Sequence, residues 1–224
     1  MSKLNKWQKH APQQSMRWEF FPMSFYTTSF DYRNFNLPMG WKERFVIPVI
    51  EKDIKKTSQY NPDWQCDVIT NFHKKPNCLD RFRGAYRAII FEYFKSLRWN
   101  PDVKYKMEMG KLWYNVYPPY KEGVRPSSQE THVHFPDHFS FVHYLEFDPE
   151  VHEPTVFRNP HLYSQMFDPN QFGDRMFEDI KTFETKEDDI VCFPSCIPHY
   201  VPRNMSNKRR ITVAFNVRIH SKRI

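Results

Sequence analysis

No apolar run in this chain of 224 residues approaches the roughly 20 residues that a membrane-spanning helix needs. The opening stretch MSKLNKWQKHAPQQ also lacks the apolar segment of a secretion signal, so a cytoplasmic location is expected. Cysteine is sparse, limited to Cys66, Cys78, Cys192 and Cys196. In a reducing compartment these are expected as free thiols rather than as two disulfides. Cys192 and Cys196 precede His199 closely enough to keep zinc as a minor alternative there, although two thiols fall short of a structural zinc set. No internal repeat is present, which excludes a solenoid or propeller. Nor is the positive charge gathered in one place. A formal net charge of +7 favours nucleic acid or another acidic partner in general, but Lys and Arg are scattered along the chain. The densest cluster is Lys208, Arg209 and Arg210, and a generic basic surface is the simpler reading.

What is present describes a packed globule. Hydrophobic residues make up 40% and aromatic residues 17% of the chain, and this length suits one domain with a real core. The mean hydropathy of −0.76 assigns the remainder to a charged or amide-bearing surface. Residues 1–17 are polar, basic and without periodicity, and read as a loosely held arm. Residues 18–30 are rich in aromatics and Thr, which suits strand interrupted by Pro22. Helical spacing of Phe45, Val49, Ile50 and Ile54 predicts a helix within residues 41–58, with Pro48 marking a kink or a late start. Residues 61–77 read as loop, with His73 at the surface. The clearest helix spans residues 79–97, where Leu79, Phe82, Tyr86, Ile89, Ile90, Tyr93, Phe94 and Leu97 form one apolar stripe.

Beyond Pro101 the period changes to two. Trp113, Asn115 and Tyr117 share one strand face, and Leu112, Tyr114 and Val116 share the other. Strands are expected at residues 140–147, 190–193 and 210–218, with a turn at Glu187, Asp188 and Asp189. Residues 158–183 form an aromatic, Met-bearing insertion that suits either a lid or local packing of Tyr163, Phe167 and Phe172. Helices first and many short strands afterwards predict a mainly β fold: a double-sheet jelly roll with supporting helices, its core at residues 101–220.

The chemistry centres on THVHFPDHFSFVHYL, residues 131–145. His132 and His134 stand at i and i+2, so on a strand both imidazoles leave the same face and reach one metal ion. His199, in FPSCIPHYVP, is a distant third candidate. Three ligands on one face leave coordination positions open for a bidentate cosubstrate and dioxygen. Arg210 opens the alternating segment RITVAFN, where its planar guanidinium suits a carboxylate and Thr212 shares its face. Arg209 points the other way and reads as a solvated charge. Asp137 is a substitute ligand only if the turn at Pro136 redirects it, because its offset from His134 puts it on the opposite face. His138, His143 and His161 receive no role.

H-x-H, a strand ending in Tyr144 and Leu145, FPSxxPHxVP, and Arg-Ile-Thr with Phe215 and Asn216 together resemble the Fe(II)- and 2-oxoglutarate-dependent oxygenases. Within them the chain is most similar to the prolyl 4-hydroxylase-like branch and to a group of oxygenases from marine bacteria and their phages, over about residues 113–218. The resemblance implies a double-stranded β-helix core. It also implies Fe(II), 2-oxoglutarate and dioxygen as cofactor and cosubstrates, and hydroxylation of a C–H bond with release of succinate and CO2. His132 and His199 match the family's two histidines, and His134 stands where most members carry Asp or Glu. Tyr144 matches a tyrosine that holds the 2-oxoglutarate carboxylate, Arg210 the basic residue beneath it, and Tyr117 a second pocket tyrosine. Three neutral imidazoles would leave the metal at +2, where a carboxylate would leave +1.

Two other readings stay open: a three-histidine cupin-like dioxygenase that does not use 2-oxoglutarate, and a non-catalytic basic binding protein with a structural metal site. The substrate class is open between a protein side chain, a nucleobase and a small metabolite, because substrate-contacting loops carry no transferable motif.

Overall fold

Alternation along the last strand decides the architecture. In β11 (Arg210–Lys222), Ile211, Val213, Phe215 and Val217 are buried in one apolar cluster, while Arg210, Thr212, Ala214 and Asn216 are buried on the opposite face. A strand buried on both faces lies centrally, and β11 pairs antiparallel with β4 (Lys104–Tyr117) on one side and β6 (Phe139–Glu146) on the other.

The computed structural model describes residues 15–20, 23–56, 68–97, 104–160 and 180–222. Around β11 a seven-stranded sheet assembles from β1 (Ser15–Phe20), β2 (Met23–Ser29), β3 (Ile69–Thr70), β4, β6 and β9 (Asp189–Pro194), in the order β1-β2-β9-β6-β11-β4-β3. A smaller sheet holds β5 (Gln129–His132), β7 (Val156–Arg158), β8 (Ile180–Lys181) and β10 (His199–Val201), in the order β5-β10-β7-β8. The two sheets form the expected jelly roll.

Helices cover the outer face of the large sheet. A π-type segment at Lys42–Val46 runs without a break into α1 (Ile47–Lys56), so Pro48 falls inside a continuous helical run, and its missing N–H coincides with the irregular hydrogen bonding of the π segment. A 3-10 turn at Asp80–Phe82 precedes α2 (Arg83–Ser96). The α2 stripe of Tyr86, Ile89, Ile90, Tyr93 and Phe94 packs against Tyr114, Phe141, Ile211 and Phe215 of the sheet. A second cluster of Phe25, Tyr144, Phe147, Phe157, Phe183, Val191, Phe193 and Ile197 fills the space between the sheets. The two periodicities thus keep the site-bearing face of β11 away from the helices.

Several boundaries differ from the sequence expectation. Residues 15–17, placed in the arm, belong to β1, because residue-by-residue pairing from Ser15 opposite Thr28 to Phe20 opposite Met23 extends the strand. The break at Pro22 separates β1 from β2 as expected. β4 begins at Lys104, well before the 112–117 alternation, and β3 adds an edge strand inside the stretch read as loop. His73 is exposed, as expected. Cys78, Cys192 and Cys196 are free thiols. Cys66, His161, Tyr163, Phe167 and Phe172 lie outside the described residues, and so does most of the 158–183 insertion. Among the described residues, no helix is long and apolar enough to cross a membrane.

Candidate metal centre

β10 and β5 pair antiparallel with His199 directly opposite His132, so the two rings meet across the ladder with centroids 4.4 Å apart. His134 is not on the strand, as its i+2 spacing suggested. It sits two residues past the end of β5, in a loop whose backbone bends it back toward the pair. Its ring lies 5.0 Å from His132 and 5.0 Å from His199. One nitrogen from each of the three imidazoles falls within 4.8 Å of the others, a spacing that a single ion spans. They form the metal-capable cluster found among the described residues, and Cys192 and Cys196 are not part of one.

The rings are prepared to act as ligands. His132 Nδ1 lies 2.7 Å from the Glu130 carbonyl and His199 Nδ1 lies 2.9 Å from the Ile197 carbonyl. A carbonyl only accepts, so each Nδ1 carries the proton and each Nε2 lone pair is left for a metal. Burial pushes the His134 imidazole down to about 3, with neighbouring His132 adding to the effect. Burial also lowers His132, and it carries His199 well below the ordinary histidine range, with His132 and His134 contributing. All three are therefore neutral near pH 7.

The same cleft holds a cation. Arg210, opposite Tyr117 across the β11–β4 ladder, is 2% exposed. Its Nη1 donates to the Glu153 carbonyl at 2.7 Å, while Nε and Nη2 are buried with no partner among the described residues. The rings of Tyr117, Tyr144 and Phe147 surround the guanidinium carbon at 4.9, 5.4 and 5.4 Å. Buried donors are nearly always paired, so two orphans on one guanidinium mark a place for an anion. The Tyr144 hydroxyl accepts from the Thr155 amide at 3.1 Å, which leaves its own proton free to donate into the cleft. Tyr117 instead donates to Gln129 Oε1. Thr212 is buried on the same face as Arg210 and lines the cleft with Val142, Ala214, Trp113 and Asn115.

Three sequence readings need correction. Arg209 is not simply solvated: it grips both carboxylate oxygens of Glu146 at 2.8 and 2.7 Å and reaches Glu51 of α1 at 3.1 Å. Asp137 is not a substitute ligand, since its carboxylate is engaged by Asn216 and Arg218. His143, left without a role, is fully buried with Nδ1 3.0 Å from the Tyr86 hydroxyl and Nε2 3.5 Å from Asp188. Burial lowers its imidazole, partly offset by Asp188. The Asp188 carboxyl, which burial alone would raise, is held low by His143, Tyr32 and Lys42.

The jelly roll thus brings three imidazoles and a buried guanidinium to one cleft. Residues 111–216 match the family described as "Putative 2OG-Fe(II) oxygenase". The solved structures the chain resembles agree in fold. A Pseudomonas putida prolyl-4-hydroxylase superposes with a TM-score of 0.51 at 14% identity, over 87% of this chain and 91% of that one. AviO1 from Streptomyces viridochromogenes Tue57 gives 0.57 at 11% identity, over 89% and 91%. The epimerase SnoN, in complex with Fe3+, alpha ketoglutarate and nogalamycin RO, gives 0.55 at 12% identity, over 87% and 78%. No curated protein matches the chain.

Proposed function

We propose that the chain is an Fe(II)- and 2-oxoglutarate-dependent dioxygenase that hydroxylates a C–H bond of its substrate and releases succinate and CO2. The observation that supports this most is the pair of unpartnered Arg210 donors buried in the same cleft as the histidines. In this reading His132, His134 and His199 hold the iron. Arg210, Thr212 and Tyr144 take the distal carboxylate of 2-oxoglutarate. Tyr117 forms the wall beside it, its hydroxyl turned to Gln129.

The iron, with 2-oxoglutarate and dioxygen bound, supplies the oxidising chemistry. The residues supply the rest. Nδ1 protons fixed on the Glu130 and Ile197 carbonyls keep the Nε2 lone pairs of His132 and His199 aimed into the cleft. Neutral imidazoles leave the full +2 charge on the metal, which strengthens attraction for a dianionic cosubstrate. Packing of Tyr117, Tyr144 and Phe147 around Arg210 excludes water from the carboxylate end, where fewer screening dipoles make the ion pair stronger.

Two assays test the proposal. Anaerobic titration of Fe(II)-loaded protein with 2-oxoglutarate is expected to show one-site binding, and aerobic turnover is expected to give succinate. The absence of both binding and succinate would overturn the proposal. The absence of a carboxylate ligand supports a second reading, a three-histidine dioxygenase that does not use 2-oxoglutarate; it predicts metal binding with no response to 2-oxoglutarate. The substrate screen begins with small molecules, because SnoN is described in complex with nogalamycin RO, and adds prolyl compounds on the name of the Pseudomonas putida prolyl-4-hydroxylase.

A further inference from the structure

His134 is the member of the triad that the sheet does not hold. His132 and His199 lie on paired strands and anchor their rings to nearby carbonyls. The His134 ring makes no hydrogen bond among the described residues and rests against Trp113, with ring centroids 5.6 Å apart. Its position therefore depends on the backbone of the loop that carries it.

That loop is clamped at several points. The His134 amide donates to the Ser195 carbonyl at 2.9 Å, and the Ser195 amide donates back to the His138 carbonyl at 2.9 Å. The Asp137 amide closes a turn onto the His134 carbonyl at 3.0 Å, and the His138 amide reaches the Val217 carbonyl at 3.0 Å. The side-chain clamp comes from a part of the chain remote in sequence. Asp137 Oδ1 accepts from Arg218 Nε and Nη2 at 3.2 and 3.0 Å, and Oδ2 accepts from Asn216 Nδ2 at 3.0 Å. Asn216 Oδ1 accepts from the Ser140 hydroxyl at 2.9 Å, and that hydroxyl lies 2.8 Å from the Ser195 hydroxyl. The side-chain contacts therefore run from Asp137 through Asn216 and Ser140 to the Ser195 turn that holds the His134 amide.

We infer that Asp137 is a positioning residue for His134, setting the third metal ligand through its paired contacts with Asn216 and Arg218. The inference rests on the reading of the histidine triad as a metal site. Charge-assisted bonds from two β11 side chains fix the loop more tightly than backbone bonds alone, and outer-shell contacts of this kind typically change metal affinity by about 10–100-fold.

The test measures Co(II) and Fe(II) affinity, and the visible spectrum of the Co(II) form, in full-length wild type and variants well below their melting temperatures. Asp137→Asn places an amide N–H against the Asn216 amide, and it is expected to weaken metal binding about 10–100-fold and alter the Co(II) spectrum. Combining Asp137→Asn with Asn216→Asp restores donor facing acceptor and is expected to recover most of the affinity. Arg218→Gln, at a half-exposed site that folding tolerates, is expected to give a smaller loss in the same direction. A merely structural role would lower the melting temperature without changing either metal readout, and that result overturns the inference. Unchanged affinity in Asp137→Asn, or no recovery in the exchanged pair, also overturns it. If instead wild type binds no metal, or binds equally after His199→Ala, the triad reading itself fails and the inference falls with it.

Discussion

Arg210→Met separates a ligand-binding arginine from a structural one, because the two roles predict opposite balances of stability and affinity. In the ligand-free protein the guanidinium gains one charge-assisted bond to the Glu153 carbonyl and three aromatic contacts. Those are worth about 1.5–3 kcal/mol and about 0.5–1 kcal/mol per ring. Against them stand two buried, unpaired donors that cost about 1–3 kcal/mol each. Methionine fills much of the same volume and brings no donor, so the net change in unfolding free energy is expected to stay within about 2 kcal/mol of zero. A fully paired buried arginine would instead cost about 3–5 kcal/mol to remove. Affinity moves the other way. Two lost charge-assisted bonds to a carboxylate amount to about 3–6 kcal/mol, roughly two to four powers of ten in the dissociation constant for 2-oxoglutarate. Calorimetric titration of metal-loaded protein reads the affinity, and a thermal melt reads the stability. In wild type, 2-oxoglutarate at a hundredfold excess over its dissociation constant adds about 2.7 kcal/mol, or about 5–10 °C at this size. Arg210→Met should lose that shift. A folded, metal-binding Arg210→Met protein with wild-type affinity for 2-oxoglutarate refutes the reasoning.

Other expectations concern the scaffold. Lys42, only 3% exposed, bonds Glu187 at 2.5 Å and Asp188 at 3.0 Å; Lys42→Met leaves Asp188 half-buried without its cation and should cost about 1–3 kcal/mol in chemical denaturation. His143 has its imidazole lowered by burial, so its stabilising effect is present above the ordinary value of 6.5 and is lost as pH falls below it. His143→Phe should therefore reduce the slope of stability against pH between about 6 and 5 by up to about 1.4 kcal/mol per pH unit, as measured by urea midpoints at stepped pH. Gly110 sits where β4 and β11 shift register opposite Asn216, and a Cβ there would lie 3.2 Å from the Asn216 carbonyl. Gly110→Ala should cost about 1 kcal/mol and weaken metal binding through the Asn216 clamp, both read on the same sample.

The parts of the fold legible in the sequence are those governed by local periodicity. Alternation in RITVAFN put Arg210 and Thr212 on one face, and they share the cleft; the α2 stripe faces the sheet, and Pro22 separates two strands. Departures arise where distant partners decide. Arg209 looked solvated because Glu146 and Glu51 lie 63 and 158 residues away. Asp137 was read only as a possible ligand because its partners stand 79 and 81 residues further on. His143 is matched by Tyr86 and Asp188 from two other elements, so no neighbouring residue announces its burial. His134 joins the imidazole cluster for a reason the i+2 rule did not give: a loop, not the strand pleat, turns it toward His132 and His199.

The two sheets differ in how firmly they hold themselves together. β4 and β11 run for 14 and 13 residues, whereas β5, β7, β8 and β10 have 4, 3, 2 and 3. The short sheet has few rungs, and the His132–His199 pair stands on one of them. On the proposed reading, an ion bridging those rings would act as a cross-strand staple, adding to the backbone bonds that tie β5 to β10. The large sheet would then be the self-sufficient platform, and the small one would gain most from metal. Amide exchange should show this as protection gained around β5 and β10 on metal loading, with β4 and β11 unchanged.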